Sequence, residues 1–516
     1  MSQGFVGLSV GAGGDAVLDV TLPGATGREE RRVAHVGRRS RVHTVSGPAR
    51  PAEPMALTLP TKHVRNRDGY VAGRAGMDTV SRRDFLAAGA LLLSARSYSR
   101  IVGANDRIQI GLIGCGHRSA GHRQMLKMSA ETDPNFDLRS VCDLWSVNRE
   151  RAADDAQKLF GKRPKTFQYS EEMLADPDLD AVMIATGDHQ HAKLLAEVVR
   201  AGKDCYCEKP MANTLEDAKL ARDAVLASKQ VAQMGSQWLS CPYQQRVRET
   251  IRSGKLGKIV SVSQSWNYNG PRWHIPKDEN VSAIRARDTD WTRWLLGRSD
   301  RAFDPRVYFE FRIYKDFSGG ITDQWYSHGA GLAHFYLDTF IPDDTISNGG
   351  IFAWHDVREN PDTFQTISTF AKSEVLYSYS TTFGNAYGDH TIIRGTRGTL
   401  YSPGGEGSPQ WWFVPEPRSG WGSNIVFDLH AGKAKPEPLL LPGRTDVPPV
   451  KQDDNLKAHT DNWLACMRSR KTPNGSIETG FAHSIAVIMA TRSYREGRKM
   501  HWDRKGERVL EHSPST

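Results

Sequence analysis

The stretch RIQIGLIGCGHRSAG, residues 107–121, decides the fold. Its first seven residues, 107–113, predict a buried parallel strand. After the glycines a segment compatible with a helix extends to about Ser129. Gly114 and Gly116 lie between strand and helix, where glycine lets the backbone approach a pyrophosphate at a helix N-terminus. This order of elements predicts a dinucleotide-binding unit.

A second predicted strand, Leu138–Cys142, ends at Asp143. A carboxylate at that place can accept hydrogen bonds from the adenosine ribose and would repel a 2′-phosphate. The sequence therefore favours NAD over NADP as the cofactor. The alternative interpretation of Asp143 is a helix N-cap.

The alternation of strands and helices continues beyond this point. Two further strands are predicted at Asp180–Thr186 and Asp204–Cys207, and helices are predicted over 147–160, 189–201 and 214–228. Such alternation is typical of an α/β fold with a doubly wound parallel sheet.

Two polar motifs follow predicted strands, at the sheet edge where such folds bind ligands. One is Asp188-His189-Gln190-His191 and the other is Glu208-Lys209-Pro210. A lysine beside a buried strand can have a lowered pKa and hydrogen-bond a substrate hydroxyl, although an ordinary surface lysine is the alternative. The His-x-His pair invites a metal interpretation, but no third ligand is evident, so no metal is predicted.

The segments GLIGCGHRSAGH (111–122), ATGDHQHA (185–192) and CEKP (207–210) resemble the Gfo/Idh/MocA family of nicotinamide-dependent oxidoreductases. The resemblance covers about residues 105–500. It implies an N-terminal Rossmann domain, 105–235, and a C-terminal α/β domain, 236–510, with a large open-faced, mostly antiparallel sheet that commonly serves oligomerisation. A homo-oligomer is therefore expected.

The resemblance also implies a set of cofactor contacts, in which Lys209 lies near the nicotinamide and the reacting carbon. Ser119 departs from the family's third glycine. The expected cofactor-binding residues are Gly114, Gly116, His117, Arg118, Ser119, Asp143, Thr186, His189, His191, Glu208 and Lys209.

Tryptophan is concentrated in the second half, with ten of the thirteen between Trp238 and Trp421. Indole faces stack on the C–H faces of sugars, so Trp266, Trp273 and Trp325 are candidate substrate contacts; packing in the core is the alternative. Alternating patterns at 259–267, 363–370, 375–382 and 390–394 predict an antiparallel sheet with one solvated face.

The segment SGGITDQWYSH (318–328) is similar to the family's glycine-pair, Asp and His signature. The resemblance implies that Asp323 and His328 hold a substrate hydroxyl and that His328 takes its proton. Two departures stand out: Asp and His are five residues apart where four is commoner, and Gly331 replaces a frequent Asp. His334 is therefore a competing, substrate-binding candidate.

The N-terminal region carries a separate signal. Ser81-Arg82-Arg83-Asp84-Phe85-Leu86 precedes a short apolar run, which is the twin-arginine export pattern and is too short for a stable membrane span. We expect initiation at Met77, a signal and linker over 77–104, and a periplasmic or otherwise exported protein, tethered only if the signal is uncleaved. Residues 1–76 are then translated upstream sequence or, alternatively, a genuine disordered extension.

Composition excludes several classes of protein. The 516 residues are 39% hydrophobic and 25% charged, which is neither polytopic membrane protein nor wholly disordered chain. The six cysteines form no CxxC pair. The net charge of +9 is concentrated in residues 1–76, with 11 Lys and Arg against 6 Asp and Glu, so no nucleic-acid partner is expected.

The sequence thus leads to an exported NAD(P)-dependent oxidoreductase acting on a sugar or polyol. A second hypothesis is an NAD-dependent glycoside hydrolase that recycles its cofactor, as transient oxidation permits elimination of the glycosidic bond. A third is a catalytically silent sugar-binding protein, which the altered Asp-to-His spacing and Gly331 would favour.

Overall fold

The computed structural model describes residues 107–277, 281–338, 341–405, 408–416, 435–446 and 452–513, together with the short strands 6–10 and 16–20. Those two strands, β1 (Val6–Val10) and β2 (Ala16–Val20), pair antiparallel as a hairpin. The predicted signal and linker, and the remainder of 1–76, lie outside the described residues. No helix within the described ranges is long and apolar enough to cross a membrane.

The first half of the described chain is a six-stranded parallel sheet flanked by helices. Its strands are β3 (Ile108–Ile113), β4 (Phe136–Cys142), β5 (Lys165–Phe167), β6 (Ala181–Ile184), β7 (Asp204–Cys207) and β8 (Ala232–Met234). Its helices are α1 (His117–Ser129), α2 (Ser146–Phe160), α3 (Ser170–Leu174), α4 (His191–Arg200) and α5 (Leu215–Ala227). The strand order β5-β4-β3-β6-β7-β8 confirms the predicted doubly wound Rossmann sheet.

Local sequence explains these elements. All four residues of β6 are buried, as expected for a central parallel strand covered on both faces. Helix α4 buries Leu195, Val198 and Val199 along one stripe. Helix α5 begins after Thr214, whose side chain accepts a hydrogen bond from the Asp217 amide at 3.2 Å as an N-cap.

The second half is built on a ten-stranded sheet. Its strands, with the short pair β10–β14 beside it, are β9 (Ile259–Ser265), β10 (Tyr268–Asn269), β11 (Asp344–Gly350), β12 (Thr363–Phe370), β13 (Val375–Thr382), β14 (Gly384–Asn385), β15 (His390–Gly395), β16 (Gly398–Ser402), β17 (Trp412–Pro415), β18 (Glu437–Pro438), β19 (Met500–Asp503) and β20 (Arg508–Leu510). Its helices are α6 (Pro242–Arg252), α7 (Trp291–Leu295), α8 (Pro305–Glu310), α9 (Ser327–Leu337), α10 (Gln452–Ser469) and α11 (Ile477–Glu496).

The large sheet has the order β18-β17-β16-β15-β9-β13-β12-β11-β19-β20, and every pair is antiparallel except β9 with β13. Strand β12 shows its two faces: Phe364 and Phe370 are buried under the helices, while Gln365 and Ile367 are exposed. This alternation confirms the predicted open-faced, mostly antiparallel sheet.

Helices from the C-terminal segment complete the core of the first half. Trp463 and Leu464 of α10 are fully buried with the residues of β3 and β4, and Phe481 and Ile485 of α11 are buried with those of β6 and β7. The domain bounds 105–235 and 236–510 therefore stay a prediction, because each half of the chain contributes to the same packed interior.

Candidate active site

A cleft of about 850 Å³ opens at the carboxyl ends of the central parallel strands, facing the second half of the chain. The structure brings most of the sequence-predicted site residues to its walls: Gly114, Gly116, His117, Arg118, Asp143, Thr186, His191, Glu208, Lys209, Trp266, Trp273, Trp325 and His328. Four others, Ser119, His189, Asp323 and His334, are buried beside or behind it and do not line it.

The glycine loop has the shape that a pyrophosphate requires. Gly114 has φ +84°, and a Cβ there would lie 2.5 Å from the carbonyl O of Ala185. Gly116 has no atom within 4 Å of where its Cβ would stand, and it lines the cleft. Helix α1 begins at the next residue, His117, without a side-chain cap, so its positive end faces this open space.

Asp143 fixes the loop at the end of β4. Its Oδ2 accepts a hydrogen bond from the Cys115 amide at 2.7 Å, and its Oδ1 accepts one from the Trp145 amide at 2.8 Å. Burial raises the pKa of Asp143, against these two donors, which lower it. Helix α2 has Trp145 as its N-cap, so the N-cap alternative for Asp143 does not apply, and its carboxylate lines the cleft.

Ser119 and His189 support the loop region from inside. The Ser119 hydroxyl accepts a hydrogen bond from Arg123 Nη1 at 3.3 Å within α1. His189 Nε2 lies 3.0 Å from the carbonyl O of Trp294, and burial lowers the pKa of His189 to about 3. Neither side chain faces the cleft.

Glu208 ties the glycine-loop helix to the segment that carries Lys209. Its Oε1 accepts hydrogen bonds from Arg118 Nε at 2.6 Å and from His122 Nε2 at 2.8 Å, all buried or half-buried. Burial alone would raise the pKa of Glu208, but Arg118 and His122 hold it well below its usual range. The peptide bond from Lys209 to Pro210 is cis.

Lys209 is a half-buried cation that lines the cleft. Its Nζ donates a hydrogen bond to the backbone O of Gln324 at 2.5 Å and lies 3.4 Å from the Gln324 Oε1. Burial lowers the pKa of Lys209 to about 8, while Asp188 and Glu208 act in the opposite direction. The ammonium group is therefore mostly protonated at pH 7.

Asp188 is joined to Lys209 through Gln324. Its Oδ2 accepts hydrogen bonds from the Gln324 Nε2 and from the Ser318 hydroxyl, both at 2.6 Å. Asp323, by contrast, turns its Oδ2 to the Gly319 amide at 2.7 Å. Burial raises the pKa of Asp323 to about 7, and the charge of Asp188 adds to the effect.

The unusual spacing between Asp323 and His328 has a structural counterpart. Thr322–Tyr326 form a π-helical turn that runs directly into α9. A π turn takes up one residue more than an α turn, which matches the spacing of five residues in place of four. Within this turn Asp323 points away from the cleft, whereas Gln324 reaches Lys209.

His328 lines the cleft near the start of α9. Its ring lies 6.0 Å from the ring of Trp266, and among the described residues its Nδ1 has no hydrogen-bond partner. Burial lowers the pKa of His328 well below its usual value, and the charge of Lys209 lowers it further. His328 is therefore neutral at pH 7 and able to accept a proton.

His334 lies on the same helix but in the core. It packs edge-on against Phe370, with ring centroids 5.6 Å apart, and burial lowers the pKa of His334 to about 3. It does not face the cleft, so it is placed away from any substrate there.

The wall opposite the glycine loop is aromatic. Trp266 and Trp325 stack with centroids 4.5 Å apart and planes 11° apart, and Trp273 packs edge-on against the buried Phe383 at 5.2 Å. Tryptophan faces of this kind suit the C–H face of a sugar ring.

Several cleft residues were not assigned by sequence reasoning. Asp188 belonged to a noted motif but received no role, and its place after β6 was the available signal. Gln324 lies in the quoted segment 318–328 but likewise received no role. The remaining cleft residues come from other segments and received no role: Arg272, Arg312, Trp294 and Tyr308.

The described residues include no group of three His, Cys, Asp or Glu side chains that could hold a metal ion. In the His-x-His motif, the Nδ1 of His191 lies 2.7 Å from the carbonyl O of Pro210.

A nucleotide loop at a parallel-sheet edge, facing a half-buried lysine and a neutral histidine, forms a cleft suited to a dinucleotide. Residues 108–236 match the model of the Gfo/Idh/MocA oxidoreductase family, described as an NAD-binding Rossmann fold. The match covers the nucleotide half of the chain, and the glycine loop fits NAD as its cofactor.

Curated relatives extend the comparison. Inositol 2-dehydrogenase 2 of Saccharopolyspora erythraea is 27% identical over 192 residues, 37% of this chain and 54% of that protein, so the match spans about half of the relative. Levoglucosan dehydrogenase of Pseudarthrobacter phenanthrenivorans is 27% identical over 322 residues, 57% of this chain and 73% of that protein. A glycosyl hydrolase family 109 protein of Shewanella baltica is 22% identical over 306 residues, 57% of this chain and 62% of that protein.

Among solved structures, levoglucosan dehydrogenase in complex with NADH superposes with a TM-score of 0.58 at 16% identity, over 76% of this chain and 98% of that chain. At that identity the likeness concerns the fold.

Proposed function

We propose that the protein is an oxidoreductase that transfers hydride between a carbon of a sugar or polyol and NAD. The observation that carries this proposal is the placement of Lys209 and His328 in one cleft, with the glycine loop on one side and the stacked Trp266 and Trp325 on the other. NAD supplies the hydride acceptor when it is bound.

The two side chains divide the proton chemistry. His328 is neutral, so it takes the proton of the substrate hydroxyl as the C–H bond breaks. Lys209 remains protonated at pH 7 and donates a hydrogen bond to the same oxygen, where negative charge develops. To do so its Nζ exchanges its contact with the Gln324 carbonyl for the substrate.

The substrate class rests on the aromatic wall and on the names of the relatives, which include an inositol and a levoglucosan dehydrogenase. The test is turnover: purified protein is incubated with NAD and a panel of sugars and cyclitols, and NADH is followed at 340 nm. Accumulation of NADH with at least one of them, lost in His328→Gln, supports the proposal. Sugar binding with no spectral change in the nicotinamide would indicate the silent, sugar-binding alternative.

A second candidate is net glycoside hydrolysis, and the glycosyl hydrolase family 109 relative favours it. Here hydride is removed two carbons from the glycosidic carbon, and the new carbonyl acidifies the C–H bond between them. The glycosidic bond is then eliminated, water adds to the double bond, and the hydride returns to the carbonyl. The same Lys209 and His328 serve both reactions. Release of the aglycone from an aryl glycoside without accumulated NADH would identify this reaction.

We further propose that the chain is exported by the twin-arginine signal beginning near Met77, with NAD already bound. Free NAD is scarce outside the cytoplasm, so an exported enzyme needs a resident, recycled cofactor. The first measurement is therefore NAD(H) released on denaturation of protein expressed from Met77 with its signal intact. About one equivalent per protomer supports a resident cofactor; almost none would contradict it and favour a dissociable one.

A homo-oligomer remains part of the proposal. The open face of the large sheet exposes Ile346, Ile367 and Leu376 on neighbouring strands, and a second copy of this chain is the occupant we propose. Sedimentation of the wild type and of Ile367→Lys tests it: a dimer or larger wild type and a dissociated variant are expected, and a monomeric wild type would overturn it.

A further inference from the structure

Among the described residues, the guanidinium groups of two arginines in the cleft wall have no hydrogen-bonded oxygen partner. Arg272 and Arg312 both line the cleft, and among the described residues no carboxylate or carbonyl oxygen accepts a hydrogen bond from either guanidinium group. The other three arginines that line the cleft are bound: Arg118 to Glu208, Arg293 to Glu171, and Arg151 to the side-chain amide oxygen of Asn148. The planar guanidinium group is well suited to bind a carboxylate or a related oxyanion by two parallel hydrogen bonds.

The chain holds both arginines in place through other contacts. The guanidinium of Arg272 lies over the rings of Tyr268 and Trp325, at 5.1 and 5.9 Å from their centroids. Arg312 lies 4.4 Å over the ring of Phe311, and its backbone carbonyl accepts a hydrogen bond from Asn360 Nδ2 at 3.0 Å. Both side chains are therefore oriented while their N–H donors remain available.

The backbone beside Arg272 is strained in a way that serves the cleft. Trp273 has φ +65°, in the left-handed region that a tryptophan rarely adopts. The same segment is held by Arg358, whose Nη2 donates to the carbonyl O of Arg272 at 3.4 Å. Strain of this kind persists where it positions functional side chains.

The charges nearby do not neutralise the pair. Asp188 and Glu208 both attract Arg312 electrostatically. Asp188 Oδ2 already accepts hydrogen bonds from Ser318 and Gln324, and Glu208 Oε1 accepts them from Arg118 and His122. Arg272 and Arg312 repel each other, and Arg312 also repels the Lys209 ammonium group. The substrate end of the cleft thus carries an excess of positive charge.

We propose that the substrate is a sugar bearing an oxyanion, a uronic acid carboxylate or a sulfate ester, and that Arg272 and Arg312 bind this group. The inference rests on the proposed function for the identity of the cleft, and it narrows the substrate from neutral sugars and polyols to acidic ones. Guanidinium groups bind such anions by paired, charge-assisted hydrogen bonds, while the aromatic wall takes the ring.

The experiment measures binding to the NAD-loaded protein by tryptophan fluorescence and calorimetry, with galactose, galacturonate and galactose 6-sulfate, and the same series for glucose. Charge-assisted hydrogen bonds predict a Kd about 10- to 100-fold lower for the acidic sugar of at least one series. Arg312→Gln should reduce this preference to about 3-fold or less.

Because Arg312 is half-buried, the exposed Arg272→Gln provides a second variant, and Arg498→Gln, exposed and outside the cleft lining, is the matched control. A preference for the carboxylate or for the sulfate identifies the source of the anion, and either one supports the proposal. Equal affinity for neutral and acidic sugars overturns it, as does the absence of any sugar binding.

The cofactor's own phosphates are the rival ligand. If Arg312→Gln weakens NAD binding while the preference for acidic sugars persists, the arginine serves the cofactor and the proposal is wrong. Selective binding of acidic sugars without any NADH formation would keep this inference and defeat hydride transfer, so the two failures are distinguishable.

Discussion

The Nζ of Lys209 lies 2.5 Å from the backbone carbonyl O of Gln324, whose side-chain amide in turn donates to Asp188 at 2.6 Å. The lysine comes from the end of β7, Asp188 from the end of β6, and Gln324 from the π-helical turn before α9. Gln324 in that turn therefore connects the two strand ends with the substrate half of the molecule.

The protonation state of Lys209 should determine how kcat changes at alkaline pH. Its pKa of about 8 is below that of an exposed lysine, so the ammonium group loses its proton as the pH rises through about 8. Turnover that needs Lys209 as a charged donor should fall above that pH, as measured by kcat from pH 6 to 10. Lys209→Met should lower kcat by about 100-fold or more at pH 7, and a profile that stays flat to pH 10 would contradict the assignment.

Asp188→Asn should move the same alkaline limb to lower pH. The Asp188 carboxylate raises the pKa of Lys209 against the effect of burial, so removing its charge lets that pKa fall below 8. The kcat profile of the variant is compared with that of Asp178→Asn, a matched change at an exposed carboxylate outside the cleft lining. If the alkaline decrease in kcat occurs at the same pH in Asp188→Asn as in the wild type, the Asp188 carboxylate does not affect the pKa of Lys209.

His328→Gln should remove the base without removing the cofactor. Loss of general base catalysis costs about 10²- to 10⁴-fold in kcat, whereas NAD affinity should be retained because the glycine loop is untouched. Steady-state kinetics and a Kd for NAD test both halves of this statement. The exposed His512→Gln is the control, and turnover in His328→Gln within about 3-fold of wild type would assign the proton to another group.

Changing the two loop glycines to alanine should affect different properties: thermal stability at Gly114 and NAD affinity at Gly116. At Gly114 the added Cβ meets a backbone oxygen at φ +84°, so Gly114→Ala should lower Tm by several degrees. At Gly116 the Cβ meets no protein atom, so Gly116→Ala should keep its Tm. It should nevertheless weaken NAD binding about 10-fold or more, because the methyl group occupies space in the cleft where the pyrophosphate approaches. Equal effects of both variants on Tm and on the Kd for NAD would be evidence against this division.

Much of the nucleotide half could be predicted because its signals are local. The apolar strand before Gly114, the glycine loop, and the polar motifs after β6 and β7 each lie within a few residues of one another. Parallel strands bring their carboxyl ends to one edge, so the sequence order alone placed Asp143, Thr186 and Lys209 around a single cleft. The alternation in 363–370 and 375–382 likewise predicted two strands at the bounds that the structure has.

Tertiary structure decided which of these residues face the cleft and what completes it. Asp323 and His334 have the residue types that catalysis uses, but the π-helical turn directs the first to the Gly319 amide and packing places the second in the core. Arg272 and Arg312 reach the cleft from segments far from the glycine loop, and no periodicity in their own neighbourhood marks them. The sequence by itself determined the fold and the nucleotide edge, because strand and turn preferences are local; the charge and shape of the substrate end depend on long-range packing, which only the folded chain determines.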